Sequence, residues 1–244
     1  MMKPIAVRNL HNQVVHELGR LIVSGELKAG QSFPREELLA EQMNVSRTAL
    51  REAMKVLSAK GLIESRQKTG TRVRDPMHWN QLDADVLGWR CAVMPTDSFV
   101  EKLVEMREII EPAAAAAAAR RRTTQQLALL KDAYQAMADA ADLDAWAKAD
   151  LAFHECLLQA ANNELMSSLF SVIETALDTY FRLSARNASN FNVALPQHLK
   201  VYEAVRGKQP EVARQAMMKL VSDSQDNIRR GANKAPAKAS SKRK

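Results

Sequence analysis

Residues 34–57 read PREELLAEQMNVSRTALREAMKVL, and their apolar spacing predicts two short helices joined by a turn. The first helix covers residues 36–42, and Asn44-Val45 form the turn. Ser46 suits the N-cap of the second helix because its hydroxyl can accept a hydrogen bond from a free backbone N–H. This arrangement is typical of a helix-turn-helix. The apolar positions of the two helices are Leu38, Leu39, Met43, Leu50, Ala53, Met54 and Leu57.

The neighbouring segments extend this unit. Residues 8–24 have the apolar spacing of an amphipathic helix. Further on, residues 62–66 and residues 71–74 alternate between polar and apolar side chains, and the turn Gln67-Lys68-Thr69-Gly70 joins them. We therefore predict a winged helix-turn-helix over residues 1–76, with a small two-stranded wing whose tip is basic.

The amino-terminal end of the second helix carries groups that suit DNA. Ser46, Arg47 and Thr48 begin the helix, and Arg51 follows one turn later. A recognition helix brings such donors against base edges, while other cationic side chains bind phosphates. A single helical arginine is more often a surface residue, but a helix-turn-helix followed by a basic hairpin is a more specific pattern. It predicts DNA binding.

Charge is unevenly distributed along the 244 residues, whose net charge is +7. Residues 1–76 carry a net charge of +5, and residues 77–228 carry a net charge of −5. Residues 229–244 hold seven Lys or Arg side chains and no acid, and we predict a disordered basic tail over residues 230–244. Such a tail is either a nonspecific electrostatic arm for nucleic acid or a solvated terminus.

The rest of the chain has the composition of a helical protein. Only 8 Gly and 8 Pro occur in the sequence, and none lies between Pro112 and Pro196. An all-β domain would need more turns and more aromatic or β-branched residues. The expected fold class is mainly α, with an all-α bundle over residues 97–229 and a connector over residues 77–96. Helices are expected at residues 97–120, 123–140, 142–160, 163–187, 195–206 and 210–229.

Two features indicate the compartment. Cys91 and Cys156 have no second thiol near either of them, so neither a disulfide framework nor a thiolate metal site is indicated. No run of about 18 apolar residues occurs, and the amino terminus lacks the apolar core of a signal peptide. We expect a cytoplasmic protein without a membrane partner.

Asp150 and His154 lie four residues apart in a predicted helix, so their side chains share one face. A carboxylate and an imidazole at this spacing can bind one metal ion. The same spacing is also that of an ordinary surface hydrogen bond, and the residues alone leave both interpretations open. A metal-dependent hydrolase is disfavoured, because His154 is not followed by a second histidine four residues later.

The first domain resembles the GntR family of winged-helix transcription regulators over residues 8–74. The resemblance rests on residues 46–53 (SRTALREA), Lys60-Gly61-Leu62-Ile63 and residues 69–73 (TGTRV). It implies operator contacts from the recognition helix, a cap or phosphate contact at its first hydroxyl, and a wing tip that enters the minor groove. The predicted DNA-binding residues are Arg35, Ser46, Arg47, Thr48, Arg51, Lys68 and Gly70.

One departure from the family concerns the start of the first short helix. The family often has Pro-x-Glu-Arg there, whereas this chain has Pro34-Arg35-Glu36-Glu37. Glu37 therefore stands where the resemblance implies a DNA-contacting arginine. Arg35 is the candidate substitute.

Residues 97–228 resemble the all-helical FCD effector domain of the FadR branch of this family. The matching segments are residues 106–114 (MREIIEPAA), which resemble its opening helix, and residues 150–154 (DLAFH). The resemblance implies that Asp150, His154 and His198 hold a divalent metal such as Zn²⁺. It also implies a further histidine where this chain has Leu220. The site would then be either three protein ligands with an open position for water or an effector, or a polar pocket without metal.

Two further residue sets carry implications from the same resemblance. Arg107 would hold the carboxylate of an acidic effector, although its spacing from Glu111 equally allows a salt bridge. The connector is expected to form a short helix capped near Asn80. Its sequence resembles the connector of the galactonate-operon regulators of this branch, which the resemblance implies also lack the further histidine. Trp79 and Trp89 of the connector can also simply pack it onto the bundle.

The predicted function is that of a homodimeric transcription regulator, acting as a repressor on palindromic operator DNA. Its predicted effector is a small carboxylic acid, specifically a sugar acid such as galactonate. An alternative keeps the fold and exchanges the effector for a dicarboxylate or an acyl-coenzyme A. Two other classes are a metal-dependent hydrolase and a protein that binds nucleic acid without sequence preference through its basic ends.

Overall fold

The computed structural model describes residues 8–66, 70–93, 97–184 and 191–232. It divides the chain into two compact units, Met1–Phe99 and Val100–Lys244. The described residues are mainly helical and include one two-stranded antiparallel sheet. The predicted fold class is confirmed. The structure groups the connector helix with the first unit, and the exact domain boundaries stay a prediction.

The first unit is built on the predicted helix-turn-helix and wing. Ser46 caps the second helix of the motif, since its Oγ lies 3.1 Å from the backbone N of Ala49 and accepts its hydrogen bond. The elements in chain order are α1 (Arg8–Val23), α2 (Glu36–Gln42), α3 (Arg47–Ala59), β1 (Ile63–Arg66), β2 (Gly70–Val73), a 3₁₀ turn (Pro76–His78) and α4 (Ala84–Val93).

The apolar faces of α1, α2 and α3 meet in one core. Leu50, Ala53 and Leu57 of α3 are fully buried there, as the sequence pattern predicts. The wing pairs Ile63 with Val73 and Arg66 with Gly70, so only the ends next to the helices reach this core. Arg66 and Gly70, at the other end of the strand pair, are exposed. Lys68, the predicted basic residue of the turn, lies outside the described residues.

The connector differs from its prediction in where the helix begins. The α4 cap is Asp83, not Asn80: the Asp83 Oδ1 atom accepts from the backbone N of Asp85 at 3.0 Å. Lys60 fixes this cap, because its Nζ lies 2.8 Å from carboxylate oxygens of both Asp83 and Asp85. Asn80 lies instead in a turn before the helix, since its carbonyl oxygen accepts from the backbone N of Asp83 at 3.1 Å.

Both connector tryptophans pack in the core of the first unit. The Nε1 atom of Trp89 donates to Nδ1 of His16 at 3.0 Å, and the ring closes over Gly19 of α1. The Nε1 atom of Trp79 donates to the carbonyl oxygen of Arg74 at 3.1 Å. These two anchors attach the connector to the winged domain.

The second unit is a bundle of helices. The Ala-rich end of α5 is buried in it, and small side chains there let neighbouring helices approach closely. The elements are α5 (Asp97–Arg121), α6 (Thr124–Ala138), α7 (Leu143–Ala160), α8 (Glu164–Ser167), α9 (Phe170–Ser184), a 3₁₀ turn (Phe191–Ala194), α10 (Leu195–Arg206) and α11 (Pro210–Ala232).

The helix predicted over residues 163–187 is wrong as a single element, because the structure divides it into α8 and α9. Asn163 caps α8 by accepting from the backbone N atoms that follow it. The Ser168 hydroxyl then donates to the carbonyl oxygen of Leu165 at 2.7 Å. Serine hydroxyls that bond nearby backbone groups compete with helix propagation, and the break follows two consecutive serines.

Replacing either of two glycines in the left-handed backbone conformation by alanine should destabilise the protein, to different extents. Gly61 has φ +76°, and a Cβ there would lie 2.4 Å from the carbonyl oxygen of His78. Gly25 has φ +79° with nothing within 4 Å. Gly25→Ala should cost about 1 kcal/mol from backbone strain alone, and Gly61→Ala about 3 kcal/mol because the backbone must also shift.

Urea unfolding followed by circular dichroism measures both variants against the wild type. The Gly25→Ala variant is the matched control for the left-handed conformation. Equal unfolding midpoints for the two variants would show that the contact at Gly61 has no energetic consequence.

Candidate nucleic-acid interface and candidate metal centre

A buried cluster of polar side chains lies between α7 and α10. Asp150 and His154 share one face of α7, as their spacing predicts, and α10 brings His198 to them. All three side chains are buried, and their ligand-capable atoms lie within 4.8 Å of one another. A carboxylate buried in such an apolar interior needs a counter-charge, which either a protonated imidazole or a bound cation can supply.

The His198 ring points a lone pair at Asp150. Its Nδ1 atom lies 2.9 Å from the carbonyl oxygen of Ala194, which can only accept, so Nδ1 carries the hydrogen. In the neutral ring, Nε2 is then an acceptor, and it lies 2.9 Å from Oδ1 of Asp150. Two acceptors at this distance repel each other unless a proton or a metal ion lies between them.

The His154 ring lies against a carboxylate of α5. Its Nδ1 atom lies 2.6 Å from Oε2 of Glu111, and a carboxylate favours the hydrogen on that nitrogen. The other nitrogen, Nε2, faces Asp150, 3.8 Å from its Oδ2 atom. Asp150 Oδ2 is itself buried without a hydrogen-bond partner. Both imidazoles thus present Nε2 to the same carboxylate.

Glu111 is the site residue that the sequence reasoning missed. Its predicted partner was Arg107 alone, and the structure does pair the two buried side chains. The spacing of four residues reveals that pair, but the contact with His154 joins α5 to α7 and has no signature in the sequence. Glu111 therefore links Arg107 to the cluster.

The charge of the cluster depends on its carboxylates and its imidazoles together. Burial alone would raise the pKa of Glu111, but the nearby charges of Arg107 and His154 outweigh it and lower the pKa to about 2. Burial likewise opposes ionisation of Asp150, and the charges and hydrogen bond of His154 and His198 bring its pKa below the usual value. With both imidazoles neutral, two ionised carboxylates would face one guanidinium, and a bound cation would balance the remaining negative charge.

The donor set fits a divalent metal of the zinc type. Two imidazole nitrogens and one carboxylate oxygen are ligands that Zn²⁺ accepts, with a fourth position for water or another oxygen. The rings of Trp146 and Phe153 pack edge-on against His198, with centroids at 6.1 and 5.1 Å, and shield the cluster from water.

The described part of α11 adds no ligand to this cluster. Leu220 stands at the position of the histidine that the resemblance implies, and its buried side chain offers no ligand. Asp223 belongs to another contact, since its Oδ2 accepts from Nε2 of Gln197 at 3.2 Å and its Oδ1 lies 3.3 Å from Nζ of Lys219. Among the described residues, Asp150, His154 and His198 form the metal-capable group.

The candidate nucleic-acid interface is the exposed amino-terminal end of α3. Arg47, Thr48 and Arg51 are all exposed there. Nη1 of Arg47 lies 3.0 Å from Oε1 of Glu37, and Nε of Arg51 lies 2.7 Å from Oε2 of Glu36. These two contacts join α3 to α2, and sequence reasoning did not predict them.

The other predicted DNA-binding residues lie around this end. Arg35 is exposed at the N-cap of α2 and makes no side-chain cap. Ser46 uses its hydroxyl as the cap of α3. Gly70 is exposed at the start of β2, with φ +78°. The structure thus brings together the helix ends and the wing of one module, as a winged helix requires.

The chain belongs to the GntR family of bacterial regulatory proteins. Residues 10–73 match the family described as "Bacterial regulatory proteins, gntR family", and residues 102–223 match the FCD domain. The fold and the interface thus define a DNA-binding transcription regulator with an FCD domain. The prediction of a regulator is confirmed, and the hydrolase is not supported.

Characterised relatives resemble almost the whole chain. The galactonate operon transcriptional repressor of Escherichia coli K12 is 31% identical over 218 residues, covering 88% of this chain and 95% of the relative. The transcriptional regulator LutR of Bacillus subtilis 168 is 31% identical, covering 83% and 95%. The Glc operon transcriptional activator of Escherichia coli K12 is 30% identical, covering 88% and 87%.

Solved structures of regulators share the fold. A GntR protein of Streptococcus agalactiae is 28% identical with a TM-score of 0.50, covering 88% of this chain and 99% of that protein. Lar of Listeria monocytogenes is 21% identical with a TM-score of 0.62, covering 94% and 99%. No helix in the described part of the chain has the length and apolar character needed to cross a bilayer.

The buried Arg107–Glu111 pair predicts a non-additive effect on stability. Glu111→Leu leaves the Arg107 guanidinium buried without its carboxylate and should cost about 3–5 kcal/mol. The double variant Arg107→Met with Glu111→Leu should recover most of that loss, because no unpaired charge remains.

Urea unfolding of the wild type, of the two single variants at Arg107 and Glu111, and of the double variant gives the double-mutant cycle. Lys148→Ala is the control, since Lys148 pairs with Asp144 at the same spacing but is exposed, and its loss should cost about 0.5 kcal/mol or less. A double variant as unstable as Glu111→Leu would show that the unpaired guanidinium is not the cause.

Proposed function

We propose that the chain is a repressor that binds palindromic operator DNA as a homodimer and is released by a small sugar acid such as galactonate. The observation that carries the proposed effector site is the buried contact between Nε2 of His198 and the carboxylate of Asp150, two acceptors that need a proton or a metal ion between them. Resemblance to the galactonate operon repressor over 88% of the chain supports the effector class.

The DNA-binding step rests on α3 and the wing. Arg47, Thr48 and Arg51 would contact base edges in the major groove, and Gly70 would let the wing approach the backbone of the minor groove closely. Arg35 and Lys68 would add phosphate contacts. In a homodimer with two-fold symmetry, one winged domain would meet each half-site of a palindrome.

The metal would be held by Asp150, His154 and His198. When bound, it supplies positive charge and an open coordination position for an oxygen of the effector. Glu111 orients His154 and is itself balanced by Arg107. Because Glu111 already engages the Nε atom of Arg107, an effector carboxylate would bind the remaining donors of that guanidinium or displace Glu111.

Effector binding would act on the operator through a difference in affinity between two arrangements of the helices. A coupling free energy of about 1–3 kcal/mol is enough to weaken operator binding about 5–150-fold. We place the protein in the cytoplasm, where it would bind both operator DNA and the effector.

Operator release tests the effector. The probe is a fluorescent palindromic duplex enriched from a random-sequence library by the wild-type protein. Galactonate should raise its Kd at least about 5-fold, and galactose, which lacks the carboxylate, should leave it unchanged. A response only to a dicarboxylate such as succinate, or only to an acyl-coenzyme A, would overturn the sugar-acid assignment in favour of that ligand class.

Zinc titration tests the metal. Protein freed of metal by a chelator should bind one equivalent of Zn²⁺, and His198→Ala should weaken binding about 100-fold or more because a ligand is lost. His78→Ala, at an exposed histidine of the first unit, is the matched control and should bind as the wild type does. Equal zinc affinity in wild type and His198→Ala, measured by calorimetry, would contradict the proposed ligand set.

A further inference from the structure

Two glutamates of α2 contact the two arginines of the recognition helix α3. Glu37 meets Arg47 with 3.0 Å between Oε1 and Nη1, and Glu36 meets Arg51 with 2.7 Å between Oε2 and Nε. We refer to these four residues as the acidic clamp. Glu37 is also the residue that departs from the family pattern, in which an arginine would stand at this position.

The clamp contributes little to folding. All four side chains are more than half exposed, from 51% for Glu36 to 66% for Glu37. Ion pairs this exposed are screened by water and salt, and their effect on stability is small. Both glutamates would be equally well placed for the α2 dipole without any arginine partner, since they lie in the first turn of that helix.

The chemistry of the guanidinium group shows what the clamp can do. Glu36 engages Nε of Arg51, so the edge formed by Nη1 and Nη2 remains for another acceptor. On Arg47, Glu37 engages Nη1, so the edge formed by Nε and Nη2 remains there. Either guanidinium edge matches O6 and N7 of guanine. The carboxylate beside it also repels phosphate oxygens, which compete with bases for the same donors.

We propose that Glu36 and Glu37 are specificity-determining residues of the DNA interface: they orient Arg51 and Arg47 toward base edges and prevent these arginines from binding phosphates of any sequence. This inference rests on the proposed contact between α3 and operator DNA. It predicts a protein that binds arbitrary duplex weakly and discriminates strongly, since phosphate contacts supply most nonspecific affinity.

The alternative to the clamp is a simple effect of net charge. Removing any negative charge from a DNA-binding domain raises its affinity for all duplexes, through long-range attraction. A clamp acts differently, because freeing the arginines favours phosphate contacts and removes the orientation needed for bases. The two explanations differ in the ratio of operator to nonspecific affinity.

The test uses the full chain with Glu36→Gln, Glu37→Gln and the double variant, which keep the size of the side chain and remove its charge. Glu17→Gln is the matched control, because Glu17 forms a comparable exposed pair with Arg20 on α1, at 3.2 Å. Fluorescence anisotropy gives the Kd for the selected palindromic duplex and for a scrambled duplex of the same composition, at several salt concentrations.

The double variant should bind scrambled duplex about 10-fold more tightly while operator affinity changes by less than about 3-fold, so that discrimination falls. The slope of log affinity against log salt for scrambled duplex should steepen by about one to two units, one for each arginine released to a phosphate. Glu17→Gln should leave discrimination unchanged. Unfolding midpoints should match the wild type.

Equal changes in both affinities, or unchanged discrimination in the double variant, would overturn the inference. The wild type separates that result from failure of the proposed function. If the wild type discriminates between the two duplexes and Arg47→Ala with Arg51→Ala loses that discrimination, the DNA interface stands whatever the glutamate variants show. If the wild type does not discriminate, the proposed operator binding itself is contradicted, and the inference with it.

Discussion

The helical unit depends on the compensation of buried charge around Glu111. This fully buried carboxylate contacts Arg107 on its own helix and His154 on α7, and it has no exposure to water. An ionised group in such an interior is tolerated only when its partners supply opposite charge and hydrogen bonds. The position of α5 against α7 is therefore fixed both by the contacts of Glu111 and by apolar packing. A change in the charge of the site would alter the interaction between these two helices.

This constraint gives a physical route from the buried site to the rest of the helical unit. His154 lies between Glu111 and Asp150, and Asp150 in turn faces His198 on α10, so three helices share one set of charges. A cation or an acidic ligand that enters this set alters the balance on all three. The ion pairs between α2 and α3 in the winged unit differ, because they are exposed and breaking them costs little free energy. A stable interior and an adaptable surface are suited to sensing and to DNA recognition, respectively.

Much of the fold follows from local pattern, and the sites follow from it only in part. The spacing of Leu50, Ala53 and Leu57 defines the recognition helix, and Ser46 marks its start. The spacing of Asp150 and His154 places both on one face, but no local signal connects them to His198, which the family resemblance supplied. The second contact of Glu111 and the clamp on Arg47 and Arg51 are tertiary, so no periodicity reveals them. The break between α8 and α9 escaped prediction because serine hydroxyls, not Gly or Pro, interrupt the helix.

X-ray absorption at the zinc edge, on protein loaded with one equivalent of Zn²⁺, tests the buried cation site most directly. The expected shell contains two imidazole nitrogens at about 2.0–2.1 Å, with oxygen ligands completing it. In His198→Ala the shell should contain one imidazole nitrogen instead of two, that of His154. A sulfur ligand at about 2.3 Å, from Cys91 or Cys156, or a shell of oxygen alone would contradict zinc binding by Asp150, His154 and His198.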